Sequence, residues 1–140
     1  MATVSAHPGT ITFSATNPDS GSVSGSSAGV VSWMVLSGSH TLNWTISLKA
    51  AASTFSGCST IPISAVQVSC SVASVSGGGG NGGCSGSLPL STTLQQVAGG
   101  AEGDGTNSYS VTINFTLAES WRYLVNSSCT MTITYSVNAQ

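Results

Sequence analysis

Four cysteines, Cys58, Cys70, Cys84 and Cys129, are the residues whose type and spacing commit most directly to chemistry. Thiolates that hold zinc come in close pairs of the Cys-x2–4-Cys kind, and the intervals here are far wider. Four cysteines in a chain with almost no charged residues read instead as two disulfides formed in an oxidising compartment. Three pairings are possible. Cys70 and Cys129 share the phase of inward-facing strand residues, whereas Cys58 and Cys84 stand in Gly/Ser-rich stretches. That phase favours Cys70–Cys129 and Cys58–Cys84, with all four cysteines oxidised within the chain.

Between the middle pair runs CSVASVSGGGGNGGC, from Cys70 to Cys84. A glycine loop that cradles phosphate leads into a helix N-terminus and usually carries a lysine; neither is present. The run begins in phase with Val66, Val68 and Val72 and ends before the apolar SLPL, so it is expected to connect two strands.

Other reactive groups are sparse. In GGAEGDGTNSY, Glu102, Asp104 and Asn107 could offer oxygens to Ca²⁺, which takes six to eight of them. The order of an EF-hand loop is lacking, and a hairpin tip rich in Gly and Asp needs no ion to explain it; no metal and no other cofactor is expected. His7 precedes Pro8, and His40 sits in the turn SGSH, each without a carboxylate nearby in sequence. Glu102 and Asp104 share a loop while Asp19 and Glu119 lie far off, and no Gly-x-Ser-x-Gly elbow stands on a strand-to-helix turn. No catalytic residue emerges and no enzyme is expected. Trp121, with Arg122 and Tyr123, forms a candidate aromatic platform for a sugar ring, whereas Trp33 and Trp44 lie in apolar strand patterns that read as packing. Three Asn-x-Ser/Thr sequons, at Asn43, Asn114 and Asn126, are candidate glycosylation sites, the first two on outward-facing strand positions.

These groups must be held by elements that the composition already narrows. The chain has 140 residues, of which 40% are hydrophobic and only 4% charged, with a formal net charge of −2. One domain spanning 1–140 is expected, since such a length buries roughly 68–70% of its unfolded surface. Lys49 and Arg122 are the only basic residues, too few for nucleic acid. No apolar run reaches the ~18 residues of a membrane helix. The start, MATVSAHPGT, has no charged and apolar signal regions, so either a leader is removed or the protein leaves its cell by another route, as virion proteins do.

Period-two alternation fills most of the chain. Ile11, Phe13 and Ala15 share one face; so do Leu42, Trp44, Ile46 and Leu48; so do Val111, Ile113, Phe115 and Leu117; so do Cys129, Met131, Ile133, Tyr135 and Val137. Seven to nine strands follow, counting VVSWMVL and SLPLSTTLQQV, with a short helical turn expected around AESWRYL and a loop or flexible edge strand in DSGSVSGSSAG. Many short alternating strands with polar turns indicate an all-β, antiparallel Ig-like or Greek-key β-sandwich.

The succession TITFSATNPD, NWTISLKA, TIPISAV, PLSTTLQQVAGG, YSVTINFTLA and TMTITYSVNA resembles secreted prokaryotic surface β-sandwich proteins of the WxL-like type, with the family's Trp-x-Leu standing here as Trp44-Thr45-Ile46. The resemblance implies an extracellular, cell-surface location and an Ig-like fold. The low charge, the all-β pattern, the disulfides and terminal segments that are themselves strands make a structural subunit of an extracellular assembly (pilus, fibre or surface layer) the leading reading. A virion decoration protein and a carbohydrate-binding or adhesive module are the alternatives. The expected partners are further copies of the chain and, through the Trp121 platform, cell-wall or surface glycans. Edges poor in Lys and Glu invite pairing, and Ile11, Phe13 and Ala15 are the candidates to enter a neighbour by strand exchange, an idea that expects removal of the first sixteen residues to abolish assembly.

Overall fold

Alternating apolar side chains force an extended backbone to bury one face, and the strands form where the alternation runs. The computed structural model describes residues 3–7, 9–14, 22–25, 29–35, 43–77, 80–104, 106–118 and 128–138. Its strands are β1 (Thr3–His7), β2 (Thr10–Ser14), β3 (Ser22–Ser24), β4 (Gly29–Val35), β5 (Asn43–Ala50), β6 (Thr54–Phe55), β7 (Cys58–Pro62), β8 (Val66–Gly77), β9 (Gly83–Cys84), β10 (Leu88–Pro89), β11 (Gln95–Ala101), β12 (Asn107–Ala118) and β13 (Ser128–Asn138). The fold is all-β and every pairing is antiparallel. Among the described residues the one helical element is a 3-10 turn, Ile63–Ala65. The AESWRYL turn lies outside the described residues beyond Ala118. Strands outnumber the expectation because SLPLSTTLQQV divides into β10 and β11, the Ser/Gly stretch contributes β3, and β6 and β9 are two-residue pairings too short to show alternation.

One sheet has the order β1-β4-β12-β8-β10, with β3 also on β12; a second has the order β2-β13-β5-β11-β9; β6 and β7 make a small third. Within these sheets only β6 and β7 are both paired and consecutive in the chain. All other connections between described strands either pass from one sheet to another or, from β3 to β4, continue along the same edge of β12. The N-terminal segment shows this at once: β1 edges the first sheet, and after Gly9 the chain edges the second as β2.

Both sheets feed one core. Ile11, Phe13, Trp44, Ile46, Leu48, Cys129, Met131 and Ile133 come from the second, and Val66, Val68, Tyr109, Val111, Ile113, Phe115 and Leu117 from the first. Trp44 meets Tyr109 edge to face across the gap, at 5.8 Å between ring centroids. Phe13 meets Phe55 likewise at 5.7 Å. The inward phases expected for β2, β5, β12 and the first half of β13 are the observed ones. In β8 the phase breaks. A register shift between Thr112 and Ile113 leaves Cys70 opposite Ile113 but puts Val72 opposite half-buried Thr112, and Ala73 opposite buried Val111. Such a bulge inserts one unpaired residue and transfers the following positions to the other face. The paired series that runs through Val66, Val68 and Cys70 is thus interrupted at Ser71.

Ile11 and Phe13 are fully buried in the chain's own core, and β2 pairs with β13 from Thr10↔Thr132 to Ser14↔Ser128. Ala15 lies outside the described residues. Removing the first sixteen residues would thus excise core side chains as well as an edge, and cannot be expected to leave an intact subunit. Phe13→Ala should cost roughly 3–5 kcal/mol, the usual range for deleting a buried aromatic; urea unfolding that shows a loss below about 1 kcal/mol would contradict this packing.

Burial pushes the Tyr135 phenol up from 10.0 to about 12. The folded chain then holds this proton more tightly than the unfolded chain does. The contribution to stability is complete below pH 10 and is lost as the pH rises through about 12. In an alkaline absorbance titration Tyr135→Phe should remove a late-ionising step; a titration curve that the substitution leaves unchanged on its alkaline side would refute it.

Candidate functional site

The disulfides are Cys58–Cys129 and Cys70–Cys84, and no cysteine is unpaired. All four cysteines are oxidised, but the pairing is not the one that phase favours. Inward phase does not make two residues neighbours: Cys70 on β8 lies against β9, and Cys129 on β13 lies against the β6–β7 hairpin. Cys58 is brought to Cys129 by the β6–β7 hairpin. Its two-residue turn, Ser56–Gly57, sets Gly57 at φ 84°, where a Cβ would press on the Ser128 carbonyl at 2.8 Å. Only glycine suits that position. Ser56 and Thr130 then exchange backbone hydrogen bonds of 3.0 and 3.1 Å, which docks the hairpin on β13 beside Cys129.

Cys70–Cys84 closes the glycine run on itself, joining β8 of one sheet to β9 of the other with Cα atoms 5.3 Å apart. The run is a connection between strands, as its sequence suggests. Inside it, Asn81 is a latch. Its amide N–H donates to the Ala101 carbonyl at 3.0 Å, its Oδ1 accepts from the Ala101 N–H at 2.9 Å, and its own carbonyl accepts from the Trp44 indole Nε1 at 2.9 Å. The buried indole thereby has the partner that a tryptophan N–H needs. Gly100 makes the approach possible, because a Cβ there would overlap the Asn81 carbonyl.

Next to this latch the outer face of β5, β11 and β9 carries an open depression of about 670 Å³. Asn43 and Thr45 of β5, Gln96 of β11, Ser85 and Asn81 line it, and Gly99 and Gly100 leave its floor without side chains. Among the described residues its polar groups are uncharged amides and hydroxyls, which can exchange hydrogen bonds with a neutral polyhydroxyl. Asn81, Gly100 and Gln96 are absent from the sequence-based candidates. An asparagine inside a glycine run was the available signal for the first, since only that residue of the run has a side chain to fix it.

The other candidates are dispersed. The segment after β11 is not a hairpin tip: β11 and β12 belong to different sheets, so Glu102–Asn107 crosses between them and is drawn inward. Glu102 and Asn107 are buried, whereas Asp104 is exposed. Asn107 Nδ2 donates to the Gly103 and Asp104 carbonyls at 2.8 and 3.3 Å, and the Gly103 N–H donates to the Tyr109 hydroxyl at 3.3 Å. These bonds fold the crossing. Among the described residues no three His, Cys, Asp or Glu side chains gather as metal ligands. His7 ends β1. Asn43 is exposed at the start of β5, while Asn114 is half-buried within β12 opposite Ser69. Trp121, Arg122, Tyr123, Asn126, His40, Asp19 and Glu119 lie outside the described residues. No helix among the described residues is long and apolar enough to cross a membrane.

The two disulfides differ in access. Cys58 and Cys129 are buried, whereas Cys84 is exposed and Cys70 half-buried. Thiol exchange needs the attacking thiolate to reach a sulfur, so mild reduction followed by alkylation should label Cys70 and Cys84 first. Labelling of Cys58 and Cys129 ahead of them would contradict the arrangement.

Comparison of the chain with protein-family models, with curated proteins and with solved structures finds no match.

Proposed function

We propose that the chain is a structural subunit of an extracellular assembly, an Ig-like β-sandwich that joins its neighbours by edge docking at its N-terminal flank. The observation that carries this reading is the inequality of the two flanks. On one side the sheets end in β10 and β9, two residues each, the first containing Pro89 and the second held by Cys70–Cys84. Short strands and proline are established ways of closing an edge to further pairing. On the other side, among the described residues, the sheets end in β1 and β2, five residues each, and neither strand contains Asp, Glu, Lys or Arg. That flank has none of the charges that ordinarily keep edges apart, and backbone hydrogen bonding along it would supply affinity. Two disulfides, low charge and the WxL-like resemblance agree with an extracellular, cell-surface setting.

The depression beside Asn43 favours a second reading, an adhesive module that holds a surface glycan through neutral hydrogen-bonding groups. Glycan binding by a chain that stays monomeric at high concentration would select it over the first.

A lysine placed in each of these two strands tests the assembly while leaving Ile11 and Phe13 in the core. Ser5→Lys with Thr12→Lys should convert oligomers or filaments to monomers in sedimentation, with an unchanged circular dichroism spectrum. Assemblies of unaltered size from that variant, or a wild-type chain that never leaves the monomer, would overturn the reading.

A further inference from the structure

The latch residue is also half of the chain's one Asn-Gly dipeptide, Asn81-Gly82. We infer that Asn81-Gly82 is a self-modification site, an asparagine that cyclises onto its own backbone once the Cys70–Cys84 staple is lost and is protected while the staple holds. In the reaction the Gly82 nitrogen attacks Asn81 Cγ. A C–N bond forms, ammonia leaves with the side-chain nitrogen, and water then opens the succinimide to aspartate or to isoaspartate. Glycine is the follower that permits this most readily, because no Cβ shields its nitrogen or restricts its backbone.

The folded loop opposes the reaction in two places. Cyclisation swings Cγ toward Gly82, which breaks the 2.9 Å bond from the Ala101 N–H to Asn81 Oδ1. It also rotates the peptide unit shared by the Asn81 carbonyl and the Gly82 nitrogen, which draws that carbonyl from the Trp44 indole at 2.9 Å. Losing two hydrogen bonds should slow the native chain by roughly tenfold to a hundredfold relative to an unlatched loop. The disulfide at Cys84, three residues on from Asn81, tethers the loop, and Cys84 is exposed and open to thiols.

The product cannot simply resume the latch. Isoaspartate lengthens the main chain by one methylene, which shifts the carbonyl relative to Trp44, and either acid adds a negative charge to a chain whose net charge is −2. Reduction by a thiol is reversible, but cyclisation is not, so the loop retains a permanent mark of having been opened.

The test compares four samples of the full chain incubated at mildly alkaline pH: oxidised, reduced with a thiol, the Cys70→Ser/Cys84→Ser variant, and Gly100→Ala, which displaces Asn81 with both disulfides intact. Peptide mapping reads conversion at Asn81, isoaspartate methylation identifies the rearranged product, and the other asparagines serve as internal controls. Conversion should be slow in the oxidised wild type and roughly ten- to a hundredfold faster in the other three. Equal rates in the oxidised wild type and Gly100→Ala would overturn the protective role of the latch. An Asn81 that stays unchanged even in the reduced, urea-unfolded chain would overturn the site itself.

Discussion

The structure depends on one topological constraint: its two large sheets are built from strands that are neighbours in space but not in sequence. β12 sits between β4 and β8, and β13 between β2 and β5, while the chain passes from sheet to sheet at almost every connection. Neither sheet can therefore be assembled from consecutive hairpins. A conventional meander gains stability hairpin by hairpin, but here the apolar faces become buried only when both sheets close on the common core. Contacts of such long range make loop closure the main entropic obstacle. Cross-links that restrict the unfolded chain act on that obstacle. Sequence separations of 71 and 14 correspond, on the chain-entropy account, to contributions of about 4 and about 3 kcal/mol.

The same constraint gives the crossings work that loops on a meander do not have. A segment that passes between sheets covers the end of the core and must satisfy its own backbone there. Asn81 does so against Ala101 while capping the Trp44 indole, and Asn107 does so against Gly103 and Asp104. Both use an uncharged amide. These amide-to-backbone bonds place a side-chain donor or acceptor in a fixed relation to the strand it touches. Close approach then demands small residues, as Gly100 shows opposite Asn81.

This separates what the sequence discloses from what it conceals. Alternation reports which face a residue occupies, so the inward sets Trp44, Ile46 and Leu48, or Val111, Ile113, Phe115 and Leu117, are readable without coordinates. It carries no information about which strand lies alongside. Cys70 and Cys129 have the phase of core residues and still do not meet, because pairing is a property of topology. The loop at Glu102–Asn107 has the composition of a hairpin tip and is a crossing for the same reason. The bulge in β8 is hidden more deeply: Ser71 and Val72 look like any alternating pair, and only the register with β12 moves the phase by one. Of the candidate site, the stapled glycine run was legible as a connector, but the Asn81 latch depends on Ala101 and Trp44, both distant in sequence.

One consequence of the crossing rule concerns the outer surface. Because the N-terminal segment leaves the first sheet after His7 and joins the second at Thr10, a single stretch of chain supplies an edge to both sheets on the same flank. The opposite flank is divided among separate short segments, β9 and β10, tied to their surroundings by a disulfide and by the Leu90 N–H bond to the Val66 carbonyl. Closing that flank thus takes several independent devices, whereas the other is governed by one element. β1 runs on through Gly9 to β2, whose Ile11 and Phe13 are core residues. The Ile133 N–H bond to the Gly9 carbonyl at 2.8 Å fixes that turn against β13. Deletion of this flank would therefore remove core side chains together with an edge.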